Sequence, residues 1–161
     1  MSVIAVLSFV TGLAAFLVAS VLLAFSDFIM RALVRAKPSA AIEVMQEINL
    51  TVFRSIFLTT YLILVPALLA LSARVWSVGP DPAGLWVLAG TGLYVTGSFL
   101  VTMFGNVPMN RKLAAMEAGS AEAAAYWTVY GRRWARFNTL RTLAGMAAAF
   151  CLFIAGWLSI V

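Results

Sequence analysis

Four predominantly apolar stretches, each about the length a helix needs to cross a hydrocarbon core, govern what this chain can become. They are Val3–Phe25, Leu50–Ala73, Leu85–Phe104 and Leu140–Val161. A bilayer core offers no hydrogen bonds, so such runs satisfy their backbone as helices. The alternating pattern of barrel strands is absent. Composition agrees: 63% of the 161 residues are hydrophobic and 11% charged, against roughly half and a quarter in soluble domains. The expected fold is an all-α integral membrane protein, a four-transmembrane-helix bundle forming one domain over 1–161, with no room for a separate soluble domain. The first run has no positively charged leader region and is long enough to span, so it reads as a retained helix and not as a signal peptide.

The charges orient the bundle. Arg31, Arg35, Lys37 and Arg54 lie between or just inside the first two runs. Arg111, Lys112, Arg132, Arg133, Arg136 and Arg141 lie between or just inside the last two, and only Arg74 falls on the other side. By the positive-inside rule the basic side is cytoplasmic, both termini are extracytoplasmic, and the expected location is a bacterial cytoplasmic (inner) membrane. The net charge of +5 then reports topology, and no nucleic-acid partner is expected. Gly79, Pro80 and Pro82 mark a tight outer turn. Pro66 predicts a kink in the second span. Ser39 predicts an N-cap for a helix running into that span, and Ser120 one for a helix from Ala121 through the fourth. Helices 2 and 4 should thus carry long cytoplasmic extensions. Pro108 should force Val107 out of helical geometry and separate the third span from a short helix after it.

Helical spacing brings polar residues onto shared faces. Trp127, Trp134 and Arg141 recur every seven residues, interleaved with Gly131, Asn138 and Gly145, with Tyr130 at the edge. Gln46, Asn49 and Phe53 share a face that continues to Thr60. Ser20, Asp27 and Arg31 align, the last two at a spacing that permits an ion pair. Thr91, Ser98 and Thr102 lead to Asn106. All four faces become polar at the cytoplasmic end, where a bundle would build a site between helices. Simpler readings stand beside this one: a surface ion pair for Asp27 and Arg31, an interfacial belt for the tryptophans, and helix capping for Asn106 and, more so, Asn110. Histidine is absent and Cys151 is the single cysteine, so there is no intrachain disulfide, and neither a metal nor an organic cofactor is expected.

Four blocks, in order AFSDFIMRAL, MQEIN, GNVPMNRKL and the spacing of Trp127, Trp134, Asn138 and Arg141, resemble the anthrone-oxygenase-like family of small four-span membrane proteins over nearly the whole chain. The family-like positions are Asp27, Met45, Gln46, Asn49, Asn106, Pro108, Asn110, Trp134, Asn138 and Arg141. The resemblance implies oxidation of anthrones, or of other hydrophobic phenolic substrates, without a dedicated metal or flavin. Such chemistry assigns Asp27 as base, Asn106, Asn138 and Arg141 as stabilisers of an enolate oxygen, and Trp134 as a stacking wall. Arg31, Gln46, Asn49, Asn110 and Trp127 would surround the substrate. The implied partners are the lipid bilayer and a hydrophobic aromatic small molecule, with a homo-oligomer left open. The rival reading is a non-enzymatic protein that binds a lipid, quinone or other small molecule, or a partner subunit.

Overall fold

A computed structural model describes residues 2–160. They form five helices: α1 (Val3–Arg35), α2 (Pro38–Thr51), α3 (Ile56–Val78), α4 (Pro82–Ala114) and α5 (Ala121–Leu158). No strand occurs among the described residues. α1, α3, α4 and α5 are each long and apolar enough to cross a membrane. Their outward faces carry large apolar side chains, such as Leu13 and Leu17 on α1 and Leu143 and Phe150 on α5. A bilayer would solvate those faces.

Local chemistry sets the ends. The side chains of Ser2, Ser55, Asp81 and Ser120 each accept a backbone N–H in the first turn of the helix they precede, satisfying donors that have no intrahelical partner. Gly79 closes α3 at φ 84°, a conformation that glycine adopts without steric cost. The expected cap at Ser39 is displaced. α2 begins at Pro38, whose missing N–H costs nothing in a first turn, and Lys37 stands at the cap without a side-chain bond.

Two expected continuities are corrected. The helix predicted to run from Ser39 through the second span is interrupted: Val52–Arg54 tighten into a 3₁₀ turn and Ser55 is extended. The Ser55 hydroxyl donates to the Val52 carbonyl at 2.7 Å and accepts from the Leu58 N–H at 3.1 Å, so it ends one helix and starts the next. α2 is therefore a separate helix and not an extension of α3, which runs on through Pro66. Conversely, the break expected at Pro108 is absent. Val107 is helical (φ −60°, ψ −46°) and its N–H reaches back to the Thr102 carbonyl, one residue further than in an α-helix. This wide π-helical turn over Thr102–Asn106 places Pro108 in the first turn of the α-helical segment that follows, where its missing donor is not required.

α5 is the axis of the bundle, with α1 and α4 packed along it and α3 against α1 and α4. Close approach depends on small residues. A Cβ on Gly145 would meet the Ala19 Cβ at 3.1 Å, and one on Gly97 would meet the Ala144 Cβ at 2.5 Å. Neither alanine can rotate away. Gly97→Ala should therefore push α4 off α5 and cost about 1–3 kcal/mol, read as a lower melting temperature in detergent, and Ala144→Gly in the same chain should restore it. Two apolar clusters lie along the axis. Leu22, Tyr61, Leu64, Leu68, Tyr94 and Leu152 are central in one. Met30, Ile42, Met45, Leu113, Trp127 and Tyr130 are central in the other, at the basic end beneath α2. Polar side chains from α1, α3, α4 and α5 fill the level between them.

Candidate functional site

The seven-residue stripe of α5 is buried as its spacing predicted: Trp127, Tyr130, Gly131, Trp134, Asn138, Arg141 and Gly145 all face inward. Its upper part is an aromatic ladder. Trp127 stacks on Tyr130 with centroids 5.3 Å apart, Tyr130 on Trp134 at 6.2 Å, and Phe25 of α1 tilts against Trp134 at 5.6 Å. Asn110 of α4 accepts from both the Tyr130 hydroxyl and the Trp134 indole N–H, each at 2.8 Å. It fixes the ladder and does not cap a helix, because α4 continues through it. Asn110→Ala would leave two buried donors unpaired and should cost about 1–3 kcal/mol for each, whereas Trp134→Phe removes a single bond and should cost about 1 kcal/mol. Chemical unfolding of the two variants checks that order.

Below the ladder, Asn138 joins α5 to α1. Its Nδ2 donates to the Leu22 carbonyl and to Ser26 Oγ, both at 2.7 Å, and its Oδ1 accepts from Arg141 Nε at 3.1 Å and Nη2 at 2.7 Å. Arg141 Nη1 donates to Thr102 Oγ1 of α4 at 3.2 Å. Because Thr102 gives its own hydrogen to the Ser98 carbonyl at 2.9 Å, it also accepts from the Tyr61 hydroxyl of α3 at 2.5 Å. Ser98 Oγ then donates to Tyr61 at 3.3 Å. One connected network thus touches all four long helices.

Its electrostatics are unbalanced. Arg141 is 7% exposed, yet the single salt bridge among the described residues is Arg31–Asp27. The guanidinium is met by an amide oxygen, a hydroxyl and the face of Trp134, with Cζ 5.2 Å from the ring centroid. That cation–π contact offsets part of the desolvation cost, but no anion balances the charge. Above Arg141, Asn106 is fully buried. Its Nδ2 donates to the Trp134 carbonyl at 3.2 Å, while its Oδ1 has no partner. Asn49 Nδ2 and Trp127 Nε1 are likewise buried and unpartnered among the described residues. Unpaired buried polar atoms are rare and costly.

Other expected site residues lie elsewhere. Asp27 and Arg31 form a 2.6 Å ion pair on the outside of α1, 65% and 67% exposed, and neither joins the network. Ser26, four residues after the buried Leu22, continues the inward face of α1, whereas Asp27, five residues after it, falls on the far side. Gln46 is a fastener. Its amide donates to the Leu113 and Met116 carbonyls, both at 2.9 Å, and ties α2 to the end of α4. Asn49 stands beside Tyr130, at the edge of the ladder. Phe53 is exposed, so the face predicted to run from Gln46 to Thr60 is broken at the 3₁₀ turn. Ser26 and Tyr61 were missed.

Two clefts lie outside the layer. One of about 550 Å³ sits at the opposite end, between α1 and α3, lined by Leu7, Thr11, Ala67, Ala70, Leu71 and Arg74 among others. The other, about 290 Å³, follows the seam of α4 and α5.

Fold and site together define an integral membrane protein whose four long helices close on a buried, uncompensated guanidinium. The chain belongs to the anthrone oxygenase family, whose sequence model matches residues 48–151, well over half of the 161. No curated protein and no solved structure shows a significant match to it. The matched stretch holds Asn49, Asn106, Asn110, Trp127, Trp134, Asn138 and Arg141, while Asp27, Arg31 and Gln46 precede it. The resemblance is thus narrower than the nearly full-length one expected, and what it leaves out includes the exposed ion pair.

Proposed function

We propose that the protein is an oxygenase of anthrone-like aromatic ketones, with Arg141 binding the enolate oxygen. The observation that carries this reading is a guanidinium buried inside the bundle with no carboxylate partner. A charge in such a place is expensive, and in membrane helices it marks function. An anionic ligand completes it. An anthrone is a carbon acid that becomes such an anion on losing a methylene proton. Asp27 is exposed and paired with Arg31, so the proton passes to water and Arg141 favours the ion that remains.

The enolate then gives one electron to dioxygen. The resulting carbon radical and superoxide combine, forming a C–O bond, and the peroxide takes up a proton. The second hydrogen on that carbon leaves as a proton while the O–O bond breaks, releasing hydroxide and forming the new carbonyl. In sum, the ketone and dioxygen become the quinone and water. Arg141 supplies a charge fixed before the substrate arrives, Asn138 holds that guanidinium in place, and Trp134 supplies a flat wall. By the distribution of Lys and Arg, the layer lies toward the cytoplasm of a bacterial inner membrane and both termini face out.

An anaerobic titration followed by absorbance tests this. Ketone bound to the wild-type protein in lipid nanodiscs should ionise at a pH about one unit or more below that of the free ketone. An unshifted titration, or the same shift in Arg141→Met, would remove the basis for the assignment.

A further inference from the structure

A packed layer needs a way in. We infer that it is the seam between α4 and α5, with Phe137 as a movable wall and a flat, uncharged aromatic ketone as the molecule that passes; this rests on the oxygenase reading above. Along the seam, Gly97 lies tight on Ala144, Thr102 is bonded to Arg141, and Asn106 to the Trp134 carbonyl. Between the last two, the contact is of another kind. The Phe137 ring lies on Gly105, where a Cβ would stand 2.9 Å from it. No hydrogen bond holds that ring. At 38% exposed it can swing outward, and glycine leaves no side chain behind it.

Both sides of this point fit passage. Outside is the 290 Å³ groove lined by Thr96, Leu100, Val101, Phe104, Gly105 and Phe137, and Phe104 projects from it 79% exposed. Two aromatic rings and an apolar floor favour a flat aromatic molecule arriving from lipid and disfavour a charged one. Inside is Asn106, with its buried and unpartnered Oδ1, and one helical turn along α4 is Thr102, which holds Arg141. The backbone between Thr102 and Asn106 is π-helical, as is Leu93–Leu100 before it, a form found frequently at functional sites. The ketone therefore crosses the apolar wall neutral and loses its proton only beside the guanidinium. The larger cleft near Arg74 is at the opposite end and reaches none of these groups.

A moving wall changes the rates of arrival and departure together and leaves affinity alone. Stopped-flow quenching of tryptophan fluorescence by anthraquinone, in nanodiscs, reads both rates without turnover. Phe137→Ala should raise the association and dissociation rates by about tenfold each at unchanged Kd, and Phe137→Trp should lower both. If Phe137→Ala fails to fold, Phe137→Leu should still raise both rates. Unchanged rates, or a change in dissociation alone, would overturn the route while leaving the oxygenase reading intact. If wild-type protein bound no anthraquinone, the route and that reading would fall together.

Discussion

Arg141→Met is expected to separate activity from stability. Turnover of an anthrone should fall about 10²–10³-fold, the usual loss when a preorganised group that stabilises developing negative charge is removed. The bundle should stay as stable as before, or gain as much as about 4 kcal/mol, because a buried charge without a counter-ion is replaced by an apolar chain of similar reach. Part of the gain is offset, since Asn138 Oδ1 loses its two donors at about 1–3 kcal/mol. Thermal unfolding and turnover on the same preparation give both numbers. Equal losses in both would make Arg141 a structural residue.

Asn138→Ala should be the most damaging single change in the layer. Asn138 is the residue through which α1 and the guanidinium are both held. Without it Arg141 keeps only Thr102 and the Trp134 face, and α1 loses both bonds by which Leu22 and Ser26 are tied to Asn138. Removing one member of such a buried charged set costs about 3–5 kcal/mol. The double variant Asn138→Ala/Arg141→Met should be less damaged than Asn138→Ala alone, because the stranded charge is gone. A coupling of about 0.5–3 kcal/mol is the range for directly bonded pairs, and strict additivity would show that the charge is not what makes the loss large.

The parts of this arrangement that were legible in the sequence are those on regular helix. α5 runs for 38 residues without interruption, so a seven-residue recurrence maps directly onto one buried stripe, and Asn138, Arg141, Trp127 and Trp134 all lie where spacing puts them. The misreadings fall where a helix departs from 3.6 residues per turn. Asp27 is a different case: it was aligned with Ser20, but the buried face of α1 runs through Leu22 and Ser26. A 3₁₀ turn before α3 breaks the phase that linked Asn49 to Thr60, and Tyr61 takes the inward position. π-helical backbone over Leu93–Leu100 and again over Thr102–Asn106 carries α4 past Pro108, which is why Asn110 reaches Tyr130 and Trp134 when it was expected to start a new element. Such turns have no periodic signature, and proline alone does not reveal whether the preceding backbone has widened to accept it.

Oxygen uptake by the purified protein in nanodiscs, with an anthrone as the reductant, tests the central claim most directly. The account predicts uptake well above the uncatalysed rate, one dioxygen per quinone formed, oxygen from labelled dioxygen in the new carbonyl, and a rate that collapses in Arg141→Met. Uptake no faster than without protein, or equally fast in wild type and Arg141→Met, would contradict it.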